Sequence, residues 1–490
     1  MKRYLKQYPR DPVFGLLLFG LLFACANFGL INQKLAVQAE NGQNLFGIRD
    51  ALLLLLLLFF LLTPSFSKRI SIPKDALLVC RCVVVLAVVT LFRSVVAGHN
   101  LHLVLAEFAG FVPWCLPFLV APRVAATGTV RRWWTIICWL GVAVSLCSII
   151  EGQLRVPIVT FVGSQQQLII IEGKWARSTI TCWGLPVLVA PTLLVGCFGK
   201  FGERTNPLTA IISAGGWVVV LAACLLTQWR TLLVGLVVGV IVLWILDRDP
   251  KRRTWLLLTL LTIPLWIGAG ALLGERFLGK GFSEYYLKRY GVMKGVSEAI
   301  EYAPSDGRTW QYEAALQNTD EWLWFGVGFA GTYGDPSGEW WQTGGADSNL
   351  LYFAVRFGVL GILLLGWFIL INIRLARGSP QSDLHKSIAA GLLSLIACSF
   401  FGDVFASSYV TPVAMTAFSL LLASVATRTR VLLVLSAPGA EMRTPDHGSS
   451  SGVGRPRKRF PTQATDRYLW PRQGSTQSGH GDVIPTKGEA

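Results

Sequence analysis

The chain has 490 residues, of which 53% are hydrophobic, and its formal net charge is +16. Long apolar runs such as 51–62 and 256–273 exclude an ordinary soluble globular protein. The positive charge does not indicate nucleic-acid binding, because the sequence has neither a basic domain nor a nucleic-acid-binding motif. We therefore predict an all-α polytopic membrane protein.

The apolar runs predict about 12 transmembrane helices. In chain order the predicted spans cover about 13–31, 47–64, 76–92, 101–121, 133–150, 179–198, 208–227, 231–246, 254–273, 350–373, 387–402 and 411–426. Every second connector is rich in Lys and Arg, and the positive-inside rule assigns those connectors and both termini to the cytoplasm. An even number of spans agrees with two cytoplasmic ends.

This pattern divides the chain into four regions. Helices 1 to 9 occupy 1–273, an extracytoplasmic (periplasmic) loop domain occupies 274–349, helices 10 to 12 occupy 350–426, and a basic cytoplasmic tail occupies 427–490. The tail is rich in Ser, Gly, Pro and Arg and has too little apolar surface to form a core, so we expect it to be disordered.

The loop domain contains 15 aromatic residues and no histidine. Aromatic faces stack on the C–H surfaces of sugars, and carboxylates accept hydrogen bonds from sugar hydroxyls, so this composition suits a carbohydrate ligand. An aromatic belt at the membrane surface explains tryptophans such as Trp322, Trp324, Trp340 and Trp341 equally well. Both interpretations stay open at this point.

Basic residues are less common on the predicted outer side, and Arg177, Arg230 and Arg308 are among the arginines that fall there. A phosphate or pyrophosphate is a natural partner for them, because the guanidinium group binds it bidentately and keeps its charge. Snorkelling to the membrane surface or a salt bridge is the alternative for each.

Three segments carry a further signal. They are Leu226-Thr227-Gln228-Trp229-Arg230, the stretch from Gly307-Arg308-Thr309-Trp310 to Trp324-Phe325-Gly326-Val327-Gly328-Phe329, and Asp347-Ser348-Asn349 ahead of Phe357-Gly358-Val359-Leu360-Gly361. Their order and spacing over about 177–373, together with the span layout, resemble the O-antigen ligase and polysaccharide polymerase family of bacterial envelope glycosyltransferases. Trp229 departs from the pattern, since the family usually has Ser there.

The resemblance implies glycan transfer from an undecaprenyl-pyrophosphate donor at the outer face of the bacterial cytoplasmic (inner) membrane, without cofactor or metal. It implies a catalytic role for Asp347 and Arg308. It implies substrate binding by Arg230, Arg177, Trp310, Asn349 and Trp324. The expected partners are the lipid-linked glycan, the bilayer and other polysaccharide assembly and export proteins, with no nucleic acid.

Inverting glycosyl transfer needs a group that takes a proton from the attacking hydroxyl. It also needs positive charge beside the departing pyrophosphate, which arginines supply. Asp347, at the junction of the loop and the tenth predicted span, is the expected base. The alternative role for Asp347 is to cap that span through its side-chain oxygen.

Three functions are weighed on this basis. A polymerase that joins lipid-linked repeat units into a surface polysaccharide or exopolysaccharide is favoured, because ligases of the family have a histidine where this chain has Asp347. The first alternative is a ligase that transfers a lipid-linked glycan to a lipid or protein acceptor. The second is a solute or anion transporter, although the sequence lacks the repeated halves and matching broken spans typical of transporters.

Overall fold

A computed structural model describes much of the chain. The described residues are 11–26, 37–38, 44–62, 72–154, 168–171, 175–178, 182–198, 207–226, 230–278, 283, 287, 308–332, 348–378, 382–401, 404–405 and 410–435. Much of the predicted loop domain, including Asp347, and the tail beyond Leu435 lie outside these residues.

Helices form most of the described chain, which confirms the helical class. In order they are α1 (Asp11–Ala26), α2 (Ile48–Leu62), α3 (Lys74–Val96), α4 (Leu101–Ala109), α5 (Leu116–Thr127), α6 (Val130–Leu154), α7 (Gly184–Phe198), α8 (Pro207–Leu226), α9 (Arg230–Leu246), α10 (Pro250–Leu261), α11 (Ile263–Leu278), α12 (Arg308–Gln317), α13 (Thr319–Trp322), α14 (Asn349–Phe357), α15 (Val359–Arg377), α16 (Asp383–Ser399) and α17 (Val410–Leu435). A 3-10 helix at Val112–Cys115 lies between α4 and α5.

Six helical segments in the described ranges are long and apolar enough to cross a bilayer. They are Lys74–Val96, Leu101–Thr127, Val130–Glu151, Pro207–Leu226, Val359–Arg377 and Val410–Thr427. The helices α10 and α11, bent by 42° relative to each other, make a seventh if they count as one span. These segments indicate a multi-pass membrane protein. The number of 12 spans and the side on which each connector lies stay predictions.

The fourth predicted span is longer than hydropathy indicates. It continues to Thr127, well beyond the predicted end at about 121. Arg123, which follows that predicted end, therefore lies inside α5 and is buried. Its Cζ atom lies 4.8 Å from the ring centroid of Phe59 and 5.1 Å from that of Phe14. Cation–π contacts with α1 and α2 thus surround the charge.

Short antiparallel hairpins depart from the all-α prediction. They pair β1 (Val37–Gln38) with β2 (Asn44–Phe46), and β3 (Leu168–Ile171) with β4 (Trp175–Ser178). The second hairpin lies in the predicted outer loop 151–178, where Ile169 is opposite Arg177 in the register. Three consecutive isoleucines favour a strand in β3, since β-branched side chains fit a pleated surface well.

α17 is a central helix of the bundle, because residues 410–424 are all buried. Its hydroxyl groups bond to carbonyls of its own helix. Thr416 Oγ1 donates to the carbonyl of Pro412 at 2.8 Å, and Ser419 Oγ donates to that of Met415 at 2.6 Å. These bonds satisfy polar groups that would be costly without partners in an apolar interior.

α7, α9 and α16 approach one another closely through glycines. A Cβ atom at Gly235 of α9 would lie 2.3 Å from Cys398 Sγ of α16. At Gly391 of α16 it would lie 2.2 Å from the carbonyl oxygen of Leu188 of α7. Such contacts are typical of membrane helices, whose association depends on close packing.

Connectors with predicted cytoplasmic positions meet through ion pairs. Arg252 Nη1 lies 3.0 Å from Asp383 Oδ1, which joins the start of α10 to the start of α16. Lys386 Nζ lies 3.2 Å from Asp247 Oδ1. This second pair joins the start of α16 to the residue that directly follows α9. This shared position agrees with the prediction that these connectors lie on one side of the membrane.

The ion pairs at Asp247 predict a pH-dependent contribution to stability. Burial by itself raises the pKa of Asp247, but the Asp249 N–H, Lys386 and Arg252 together lower it below its ordinary value of 3.8. A lowered pKa in the folded state stabilises the fold above pH 3.8, and this contribution is lost as the pH falls through the folded pKa.

Asp247→Asn should lower the free energy of unfolding by about 2–3 kcal/mol at pH 7, because it leaves buried cations short of a partner. Thermal unfolding of the detergent-solubilised protein measures this change, and the difference from wild type should narrow below pH 3.8. Asp75→Asn is the control, because it breaks an exposed ion pair. The side chain of Asp75 is 64% exposed, and that of its partner Arg374 is 81% exposed. It should cost less than about 1 kcal/mol, and an equal loss in both variants would contradict the prediction.

Candidate functional site

A hydrogen bond joins the two segments that carry the predicted catalytic residues. Tyr312 Oη donates to Ser348 Oγ at 2.8 Å. Arg308 begins α12 one helical turn before Tyr312, and Asp347 directly precedes Ser348 in the chain. The start of α12 is therefore held beside the start of α14. Asp347 and the side chain of Arg308 lie outside the described residues.

Ser348 is the N-cap of α14. Its backbone is extended, and its Oγ accepts a hydrogen bond from the N–H of Leu351 at 3.3 Å. A serine oxygen in this place satisfies a backbone donor that the first helical turn leaves free. The structure thus assigns the N-cap of α14 to Ser348, whereas a capping role for its neighbour Asp347, which lies outside the described residues, stays a prediction.

α12 and α13 pack on α14 through an apolar cluster. Its buried members are Ala315, Trp322, Leu351, Ala354 and Val355. The Trp322 Nε1 atom donates to the carbonyl oxygen of Ala315 at 2.7 Å. Trp322 is thus a core residue that holds α12 against α14, not a member of an aromatic belt.

The tenth predicted span is broken at Gly358. α14 ends at Phe357, and α15, which is long and apolar enough to cross a bilayer, begins at Val359. Gly358 has φ 70° and ψ −154°, a conformation that is essentially restricted to glycine. The predicted start of this span at about 350 is therefore wrong, because residues 349–357 form a separate helix.

The loop 323–331 packs against this break through its backbone. The N–H of Val359 donates to the carbonyl of Leu323, and the N–H of Val327 donates to that of Val355, each at 2.7 Å. Two peptide segments far apart in sequence thus share hydrogen bonds as neighbouring strands do. Such bonds need the backbones to approach without intervening side chains.

Gly358→Ala should destabilise the protein strongly. A Cβ atom at this position would lie 2.6 Å from the carbonyl carbon and oxygen of Trp324, and the positive φ adds strain. We expect a loss of about 2–4 kcal/mol, measured as a lower melting temperature in detergent. Gly366→Ala in α15 is the matched control, because a Cβ atom there meets nothing within 4 Å. Similar melting temperatures for the two variants would contradict the packing described here.

A partly buried ion pair connects α14 to α4. Arg356 Nη2 donates to Glu107 Oε1 at 2.8 Å, and Tyr352 Oη donates to Glu107 Oε2 at 3.0 Å. Arg356 Nη1 also donates to the carbonyls of Gly328 at 3.1 Å and Gly331 at 2.6 Å. The Arg356 side chain is only 4% exposed. One guanidinium group therefore links α14, α4 and the loop 323–331.

The carboxyl end of α3 contacts the same loop from another side. Arg93 Nη1 donates to the carbonyl of Phe325 at 2.6 Å, and its Nη2 donates to the next carbonyl. The N–H of Phe329 donates to Ser94 Oγ at 2.8 Å. His99 Nδ1 lies 2.8 Å from the carbonyl oxygen of Phe329. Since a carbonyl only accepts, this contact assigns the proton to Nδ1.

The aromatic side chains of this loop divide into buried and exposed members. Phe329 is fully buried, with its ring centroid 5.6 Å from those of Phe111 and Phe357. Trp324 and Phe325, by contrast, are 67% and 73% exposed. Trp324 is therefore accessible to a ligand or to lipid, whereas Trp340 and Trp341 lie outside the described residues.

The predicted site residues lie on different elements. Arg308 and Trp310 are both in the first turn of α12, beside α14. Arg230 begins α9, and Arg177 lies in β4. The side chains of these four residues lie outside the described residues, so their relative distances stay predictions.

Asn349, predicted to bind substrate, is buried at the start of α14. Its Oδ1 accepts a hydrogen bond from the N–H of Phe405 at 3.0 Å. Trp114 Nε1 donates to the carbonyl of the same Phe405 at 3.1 Å. In the described structure Asn349 has no exposed surface. Its hydrogen bond to Phe405 holds the segment before α17 next to the start of α14.

Arg93, Glu107 and Arg356 were not among the site residues predicted from the sequence. For two of them the sequence holds a signal, because Glu107 lies inside the apolar run 101–121 and Arg356 inside 350–373. Charged residues within apolar runs usually pair with each other. Arg93 lies just after the predicted end of span three, and its contact depends on how the loop folds.

Comparison with known proteins adds no identification. No protein-family model matches this chain, and no curated protein matches it.

Proposed function

We propose that this protein is a membrane glycosyltransferase that polymerises undecaprenyl-pyrophosphate-linked oligosaccharide repeat units at the outer face of the bacterial inner membrane. The observation that supports the proposal best is the Tyr312–Ser348 hydrogen bond. It holds the helix that begins at Arg308 beside the residue that follows Asp347. A cationic and an acidic residue next to a membrane-spanning bundle suit transfer from a lipid-linked donor.

Asp347 acts as the general base in this proposal. Its carboxylate takes the proton of the acceptor sugar hydroxyl, and the hydroxyl oxygen attacks the anomeric carbon of the donor. The bond from that carbon to the pyrophosphate oxygen breaks, so that undecaprenyl pyrophosphate leaves and the configuration inverts. Neither a metal nor a cofactor takes part in the proposed reaction.

Arg308 stabilises the negative charge on the departing pyrophosphate. Its guanidinium group stays charged and can bind two oxygens at once. Arg230 and Arg177 are proposed as further contacts to the same group. Trp310 and the exposed Trp324 are proposed to stack on sugar rings of the growing chain.

Polymerase is preferred to ligase because Asp347 stands where ligases of the resembled family have a histidine. The interval 274–349 holds no histidine that could replace it. The proposed partners are the lipid-linked glycan, the bilayer and other proteins of polysaccharide assembly and export.

A deletion strain tests this function. Lipid-linked intermediates are extracted from wild type and deletion strain and separated by size. Single lipid-linked repeat units should accumulate in the deletion strain while polymer disappears, and the intact gene should reverse both changes. Accumulation of full-length lipid-linked polymer would replace the proposal with a ligase, and an unchanged glycan profile would refute both.

A further inference from the structure

The direction of α14 is not set by its chain connection to α15. The two helices are separated by Gly358, whose positive φ breaks the helical hydrogen-bond pattern. A glycine link permits a wide range of directions, so side contacts have to select one. Because Asp347 directly precedes Ser348 and α14 in the chain, the contacts that hold α14 bear on the proposed site.

The Glu107 cluster, defined as Glu107, Tyr352 and Arg356, supplies two such contacts from one side chain. Tyr352 and Arg356 are separated by one helical turn of α14, and both donate to the Glu107 carboxylate, at 3.0 and 2.8 Å. Two bonds one turn apart fix the rotation of α14 as well as its distance from α4.

Arg356 extends the same cluster to the loop. Its Nη1 atom binds the carbonyls of Gly328 and Gly331. Buried carbonyls need donors, and a buried guanidinium needs a carboxylate, so each contact depends on the others. The ammonium group of a lysine is a single compact charge, so it cannot reproduce the planar arrangement of donors of a guanidinium group.

We infer that the Glu107 cluster positions Asp347 by fixing α14 against α4 and the loop 323–331. Arg356 and Glu107 are thus positioning residues for the proposed reaction, and neither touches the reacting atoms. This inference rests on the proposed function. It also distinguishes Arg356 from the arginines proposed to bind pyrophosphate, because its guanidinium is buried and engaged by protein groups.

Arg356→Gln and Glu107→Gln test the inference in proteoliposomes supplied with lipid-linked single repeat units. Each should lower kcat on the order of 10²-fold, since a shift of α14 displaces the base, with KM within about twofold of wild type. The double variant should be no slower than about the slower single variant, because both changes disrupt one cluster. Arg356→Lys should restore part of kcat through the ion pair.

Hydrogen exchange gives a readout that does not depend on turnover. Amide exchange in 349–357 and 324–331 should accelerate in the variants, while exchange in α16 stays unchanged. If the charge variants do not fold, Tyr352→Phe tests the same inference, because it removes a single hydroxyl group. This variant should lower kcat about 3- to 10-fold. The matched control is Arg252→Gln, which breaks a partly buried ion pair with Asp383 at a different site and should leave kcat unchanged.

The outcomes separate the inference from the proposed function. Wild-type protein that forms no polymer would refute the proposed function. Active wild type with normal kcat in the Arg356 and Glu107 variants would overturn only the inference. A rise in KM that matches the fall in kcat/KM would overturn it as well, because Arg356 would then bind substrate.

Discussion

Asp347→Asn should abolish polymer formation while the protein accumulates normally in the membrane. Asparagine has nearly the same shape as aspartate but cannot accept the proton of the attacking hydroxyl at neutral pH. Loss of a general base costs about 10²- to 10⁴-fold in rate. Polymer length and yield in a deletion strain that expresses the variant measure the effect, with immunoblotting for membrane levels.

Asp320→Asn is the control for this change. Asp320 lies in α13 of the same region, and its side chain is exposed. This variant should make polymer at the wild-type rate. Near-normal polymer from Asp347→Asn would remove Asp347 from the proposed mechanism, and another base would have to be sought.

Arg308→Ala should reduce polymerisation on the order of 10²- to 10³-fold, because it removes positive charge beside the leaving pyrophosphate. Arg308→Lys should recover part of the rate, since lysine keeps the charge but not the bidentate geometry. Initial rates with lipid-linked repeat units in proteoliposomes measure both variants.

Arg374→Ala is the control for Arg308→Ala, because it removes an arginine outside the proposed site. Arg374 lies at the end of α15, is exposed and pairs with Asp75 at 3.2 Å. Its removal should leave the rate unchanged. If Arg308→Ala and Arg374→Ala had the same small effect, Arg308 would have no role in binding the leaving group.

The sequence was sufficient to predict where helices form. Each predicted span coincides with a helix or a pair of helices, because apolar runs of this length have few other ways to satisfy their backbone groups. Helix ends were harder to predict. The run 350–373 is apolar on both sides of Gly358, so hydropathy gives no sign of the break between α14 and α15.

The candidate site was predictable only in part. The polar interval and its arginines are visible in the composition, and Asp347 follows from the motif pattern. The contacts of the loop 323–331 are not local, since Arg93 and Phe325 are 232 positions apart. A local pattern cannot show which of many buried charges will meet, so the Glu107–Arg356 pair emerges only from the fold.

The cap of α14 illustrates the same limit on a smaller scale. Asp347 and Ser348 are adjacent, and both residue types are favoured at an N-cap. Sequence alone therefore could not choose between them. The structure assigns the cap to Ser348 and its hydroxyl also accepts from Tyr312, which is what links α12 to α14.

The most direct test of the polymerase proposal uses purified protein in proteoliposomes with lipid-linked single repeat units as the sole substrate. The proposal predicts a ladder of longer lipid-linked glycans, with one undecaprenyl pyrophosphate released for each new linkage. No ladder, together with transfer of preassembled chains to an added lipid acceptor, would contradict it and identify a ligase.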